Sequence, residues 1–227
     1  MTNGWGEELM AYSFPLSLTD FFDILPVQSM TFDLPEAAEV SKTQGGDLLT
    51  ASLGTRLWQG KVTLDKMVAA RDAEVMAMLD VARRPGASIM ISDRKRPWPR
   101  ADFGGALLGA AAPKLGGIST DTRELSLYDL PAGYQLMRGD MIGFAYASNP
   151  VRYALHRVAS GATADGTGVT GMMEVSPNIR AGAAVGAPVT LLKPACKAIL
   201  VPGSVDVGTR KRTLTTGVSF QWLQTLR

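Results

Sequence analysis

Apolar and polar residues alternate through much of this chain. In Met30-Thr31-Phe32-Asp33-Leu34 the apolar side chains take the even positions and the polar ones the odd. Over residues 56–64, Trp58, Val62 and Leu64 share one face, and Gln59, Lys61 and Thr63 share the other. Val218, Phe220 and Trp222 alternate with Ser219 and Gln221 near the end. A period of two predicts half-buried strands of an antiparallel sheet. Residues 66–84 break the rhythm, because Val68, Val75, Met78, Leu79 and Ala82 fall at helical spacing. Asp65 is the expected N-cap, Arg83-Arg84 suit the negative end of the helix dipole, and Pro85-Gly86 stops it. Ile89-Met90-Ile91 follows as a short apolar strand.

Residues 93–124 carry Pro97-Trp98-Pro99, Gly104-Gly105 and Gly116-Gly117, and predict a long irregular stretch, functional or disordered rather than idle. Beyond it, Pro131-Ala132-Gly133 and Arg138-Gly139-Asp140 predict turns, and Ala164-Asp165-Gly166-Thr167-Gly168 predicts a hairpin turn. These turns separate short strands expected over 141–146, 153–158, 169–175 and 187–192. The expected fold is mainly β. Residues 1–125 and 196–227 form an N-terminal β-sandwich with one helix, and residues 126–195 form a small inserted β-barrel, OB-like or galectin-like.

Composition narrows the chemistry. An apolar content of 46 % supports a buried core, and a net charge of +2 argues against bulk polyanion binding. The charge is uneven, however. Residues 1–64 hold eight acids and three bases, while residues 83–100 hold six bases against Asp93. That basic run is either a solvated loop or a contact surface. Trp98 within it either anchors the loop or a neighbouring subunit, or stacks on nucleic acid. Cys196 is the only cysteine, which excludes an intrachain disulfide and a thiolate zinc cluster and suggests a buried, inert thiol. Glu7 and Glu8 stand where a secretory signal wants positive charge, and no apolar run approaches the 20 or so residues that span a bilayer. A soluble chain made in a reducing compartment, without membrane insertion, is expected.

His156 is the only histidine and sits on a predicted strand, sharing a face with Ala154 and Val158, where a structural role is expected. No G-x-S-x-G motif or phosphate-binding loop is present, and the Asp165–Gly168 turn has too few oxygen ligands for calcium. Asp121, Asp129, Asp140 and Asp165 fall in predicted turns, where capping the backbone is their expected task. Glu174 is the best-placed acid for carboxylate-pair hydrolysis, but alternation turns it toward solvent. The expectation is therefore no catalytic residue, no cofactor and no metal.

The order of segments resembles a known family. The strand Leu57-Trp58-Gln59-Gly60-Lys61-Val62-Thr63-Leu64 precedes a helix containing Arg71-Asp72-Ala73-Glu74, then a Pro-Gly stop, an apolar strand and Arg96-Pro97-Trp98-Pro99. Leu136-Met137-Arg138-Gly139-Asp140-Met141-Ile142, Leu155-His156-Arg157-Val158 and Val175-Ser176-Pro177-Asn178-Ile179-Arg180 follow, before the closing Gly217-Val218-Ser219-Phe220-Gln221-Trp222. This succession is similar to the distal tail proteins of siphophages and gene transfer agents. The resemblance implies a homohexameric ring at the virion tail tip, made in the bacterial host cytoplasm. Such a ring joins the tail tube protein to the baseplate hub protein, lies next to the tape-measure protein, and passes DNA through its lumen. Arg94, Lys95, Arg96, Trp98 and Arg100 are the candidate inter-subunit contacts. Two other functions compete: a host-recognition or carbohydrate-binding module using Tyr134, Tyr146, Tyr153 and Arg152, and a cell-wall hydrolase of the tail tip.

Overall fold

The computed structural model describes residues 12–52 and 54–227. Glu7 and Glu8, which bear on export and on the acidic segment, lie outside the described residues. The chain is mainly β, with eighteen strands and one α-helix among the described residues. It builds a curled half-barrel sheet and a nearly closed six-stranded barrel. No described helix is long and apolar enough to cross a membrane.

A π-helical turn at Leu18–Phe22, opened by the Ser17 side chain accepting from the Asp20 amide, buries Phe21 and Phe22. Then come β1 (Val27–Met30), β2 (Ala38–Lys42), β3 (Leu48–Ser52), β4 (Gln59–Leu64), β5 (Met67–Val68), α1 (Ala69–Ala82) and β6 (Ile89–Ser92). The second stretch holds β7 (Lys114–Ile118), β8 (Glu124–Tyr128), β9 (Gln135–Leu136), β10 (Met141–Tyr146), β11 (Arg152–Val158), β12 (Ala162–Thr163), β13 (Met173–Ser176) and β14 (Val189–Thr190). The chain closes with β15 (Ala195–Leu200), β16 (Thr209–Arg210), β17 (Leu214–Thr216) and β18 (Ser219–Gln224).

The five-stranded sheet runs β1-β4-β18-β15-β6, all antiparallel, so the last strand of the chain occupies the centre. The alternation that marked β4 and β18 places Trp58, Val62, Leu64, Val218, Phe220 and Trp222 inside, with Gln59, Lys61 and Gln221 outside. Phe32 packs between the two indoles, its ring centroid 5.2 Å from Trp58 and 4.7 Å from Trp222. Truncating a fully buried aromatic of this core, Phe220 or Trp222, costs about 3–5 kcal/mol.

The helix begins later than its periodicity predicts. Residues 67–68 are drawn into β5, which pairs with β17 through Met67↔Thr215 and Val68↔Leu214. Val68 is therefore extended, is itself the N-cap and is 57 % exposed, while Asp65 accepts only from the amide of Lys66. Val75, Leu79 and Ala82 turn toward the core as expected.

The six-stranded sheet runs β14-β10-β11-β13-β8-β7. Its two edges meet: the Leu115 amide donates to Ala187 O at 2.9 Å, and the Val189 amide to Pro113 O at 2.8 Å. Closure of this kind leaves little unpaired edge. The irregular stretch foreseen over 93–124 ends at Pro113, because 114–118 and 124–128 form a bulged hairpin of the barrel. The single strand foreseen over 169–175 is an isolated bridge at Thr170 followed by β13.

Two features of assembly bear on function. First, Ser92 at the end of β6 and Ala195 at the start of β15 are register partners. Everything between them, barrel included, leaves and re-enters the first sheet at one hairpin position. Second, the barrel packs on the first core rather than hanging free. Met141 and Leu155 join the core of the five-stranded sheet, and Trp58 Nε1 donates to Leu155 O at 2.7 Å.

Candidate functional site

The basic run foreseen as a contact surface lies where the first sheet hands over to the barrel, and several of its charges are tied down within the chain. Arg94 donates to Phe22 O and Leu25 O, with its guanidinium 4.9 Å from the Phe22 ring centroid. Burial lowers its pKa, against a smaller raising effect of Asp23. Arg96 reaches the buried Asp93 at 3.5 Å. The Arg100 amide donates to Asp140 Oδ1 at 3.0 Å and its Nη2 to Arg138 O at 2.9 Å. Trp98 meets Phe103 edge-on at 4.8 Å between centroids, and Phe103 is 79 % exposed. Lys95 is exposed. Outward-facing chemistry in this stretch is Lys95 and the exposed Arg94 and Arg100, with an apolar ridge of Phe103 and Leu107.

Residues scattered through the sequence converge elsewhere. The base of the β2–β3 hairpin and the segment 54–56 face the end of the barrel across a cleft of about 890 Å³. Arg56, Arg152 and Arg180 line it together with Tyr146 and Asn178, and Glu36 is the acid in its wall. Arg56 is fixed by donating to Leu34 O and Pro35 O, and Arg152 by donating to Leu226 O at 3.0 Å. Arg180 donates from Nη2 to Arg56 O at 3.0 Å, but its Nε and Nη1 are shielded from solvent and have no partner. The hydroxyl of the buried Tyr146 is likewise unpartnered. Buried polar groups in native proteins are nearly always hydrogen-bonded, so a cluster left open beside a cleft is informative.

The groups foreseen as sugar contacts divide. Tyr146 and Arg152 line the cleft. Tyr134 does not: it is buried, donates its hydroxyl to Asp102 at 2.9 Å, and is held in its protonated form by burial and by that carboxylate. Tyr153 is half-buried on β11, and its carbonyl accepts from Gln224 Nε2. Arg56 and Arg180 were not foreseen as site residues. They stand 124 positions apart, and no spacing rule connects them.

His156 is buried on β11 and stacked on Phe144 at 5.4 Å. Its Nδ1 lies 2.7 Å from Pro177 O, and since a carbonyl can only accept, Nδ1 carries the proton. Burial lowers its pKa to about 4, with Pro177 opposing and Arg180 adding to the shift, so the ring is neutral at ordinary pH. Cys196 is fully buried on β15, and burial pushes its thiol up. Three carboxylates, Asp93, Asp102 and Asp140, are buried among the described residues, and each accepts from the backbone of irregular segments, Asp93 from the Lys95 amide at 2.9 Å. Asp102 accepts from the amides of Leu107 and Leu108, and Asp140 from those of Arg100 and Met137. Glu174 is exposed, as alternation foretold. The chain matches no model of a known protein family and no curated protein sequence.

Proposed function

We propose that the chain is a structural virion protein that forms a ring at a phage-type tail tip and joins the tail tube to the baseplate hub. The observation that carries this reading is the β2–β3 hairpin. Residues 39–51 are exposed on both faces, among them Val40, Leu48 and Leu49 at 55–59 %. A lone two-stranded hairpin is marginal in water, and exposed apolar side chains on it mark a surface meant for a partner. In a closed ring each subunit presents two different patches to its neighbours, and an arm of this kind supplies one. The Phe103–Leu107 ridge with Lys95 is the candidate for the other, together with Trp98, Arg96 and Arg100 around it. The order of segments along the chain supports the tail-tip assignment, and the acidic 1–64 and basic 83–100 segments favour head-to-tail pairing through steering. The ring is homohexameric, binds tube, hub and tape-measure proteins at its two faces, and admits DNA only in transit.

Light scattering and negative-stain imaging of purified protein and of assembled tips, at low and high salt, test this. Hexameric rings are expected, and Leu49→Asp in the arm should shift them to monomers without lowering the melting temperature by more than a few degrees. A strict monomer under every condition, in tips as in solution, refutes the proposal.

A further inference from the structure

We infer that the cleft between the base of the β2–β3 hairpin and the barrel binds an acidic saccharide, a sugar carrying a carboxylate or phosphate group. Three guanidinium groups, of Arg56, Arg152 and Arg180, face one acid, Glu36, across it. Arg180 is the decisive residue. Two nitrogens of this partly buried side chain, which lines the cleft, are removed from water with no acceptor, and an oxyanion drawn against that wall would supply one. Planar guanidinium donors match the geometry of carboxylate and phosphate oxygens. Tyr146 adds a second donor without a partner in the same wall. A cavity of about 890 Å³ is far larger than a bare ion requires and lies within the range of small-molecule sites. The rest of the wall suits a sugar ring: alanines at 37 and 51 offer apolar surface to a ring face, and Thr50 and Asn178 offer hydrogen bonds to its hydroxyls.

This inference stands apart from the ring proposal, since it concerns one subunit's cleft and is read in whatever assembly state the protein adopts. Isothermal titration of the full chain with D-glucuronate, glucose 6-phosphate, inorganic phosphate and glucose tests it. At least one charged sugar should bind with a Kd near or below about 1 mM, and glucose about tenfold or more weakly. Arg180→Gln and Tyr146→Phe should each weaken the charged sugar by about tenfold, with melting temperatures close to wild type for Tyr146→Phe. Arg152→Gln serves as the second cationic variant if Arg180→Gln does not fold. No saturation by either charged sugar below about 10 mM overturns the inference. So does equal affinity in wild type and Tyr146→Phe together with either arginine variant. Inorganic phosphate binding as tightly as glucose 6-phosphate, with glucuronate silent, overturns the saccharide assignment.

Discussion

Replacing Gly60 by alanine adds one methyl group where the first sheet leaves no room for it. An ideal Cβ at residue 60 stands 1.9 Å from Thr31 O and 3.0 Å from Trp222 Cζ2. The first neighbour is backbone and cannot rotate away, and the second belongs to a fully buried indole. Relief requires moving residues 31–33 off β4. Those residues hold β4 through the Thr31 amide on Lys61 O, the Lys61 amide on Thr31 Oγ1, and the reciprocal pair between Asp33 and Gln59, all at 2.8–2.9 Å. Overpacking costs about 1–3 kcal/mol, and losing two such bonds adds about 1 kcal/mol each. Against this, Gly→Ala gains about 0.4–1 kcal/mol from the unfolded chain. The net is a destabilisation of about 2–4 kcal/mol, on the order of 10 °C in melting temperature for a chain of this size. Gly171→Ala is the matched control, because its Cβ meets nothing within 4 Å and its φ is ordinary. Urea unfolding followed by tryptophan fluorescence gives both values. A Gly60→Ala midpoint equal to wild type, or no lower than that of Gly171→Ala, refutes the argument.

Two further outcomes follow from the geometry. His156 titrates near 4 in the folded chain against 6.5 unfolded, so its contribution is complete above about pH 6.5 and is lost as the pH falls toward 4, because only the unfolded state takes up the proton. Wild type should lose about 2 kcal/mol more than His156→Gln between about pH 7 and pH 5; parallel stability profiles would show that the imidazole does not titrate this way. Replacing residues 93–194 by Asn-Gly joins the register partners Ser92 and Ala195, and should leave the five-stranded sheet folded but weakened by loss of Met141, Leu155 and Arg94. An unfolded circular dichroism spectrum would mean that the two cores form one cooperative unit. Cutting at 129–193 instead strands β7 and β8 without their barrel partners.

Where side chains alternate across a half-buried sheet, the sequence shows the strand directly: Trp58, Val62, Leu64, Phe220 and Trp222 all sit inside. Glycine obscures it. Lys114–Ile118 reads as loop because of Gly116 and Gly117, yet these glycines belong to a strand with a bulge. A Cβ there would meet Ser126 Oγ at 3.0 and 3.2 Å on the paired strand. The start of α1 was hidden for a different reason, since a pairing with residues nearly 150 positions away straightens Met67 and Val68. The cleft was half legible. Tyr146 and Arg152 stand out in the sequence as candidate sugar contacts, whereas Arg56 and Arg180 gain meaning only once the fold brings their segments together.

The placement of β18 governs the order in which the molecule can be made. Translation delivers β1, β4 and β6 early, but the strand that separates β4 from β15 is the last of all. The barrel strands, by contrast, are contiguous from Lys114 to Thr190 and can pair as soon as they emerge. The first sheet instead draws its strands from both sides of the barrel, and without β18 its β4 has no partner on that side. Placing β18 between β4 and β15 inserts Phe220 and Trp222 and closes the first core. Without residues 219–224, β4 and β15 would face each other as two unpaired edges, while every strand of the barrel would keep its partners.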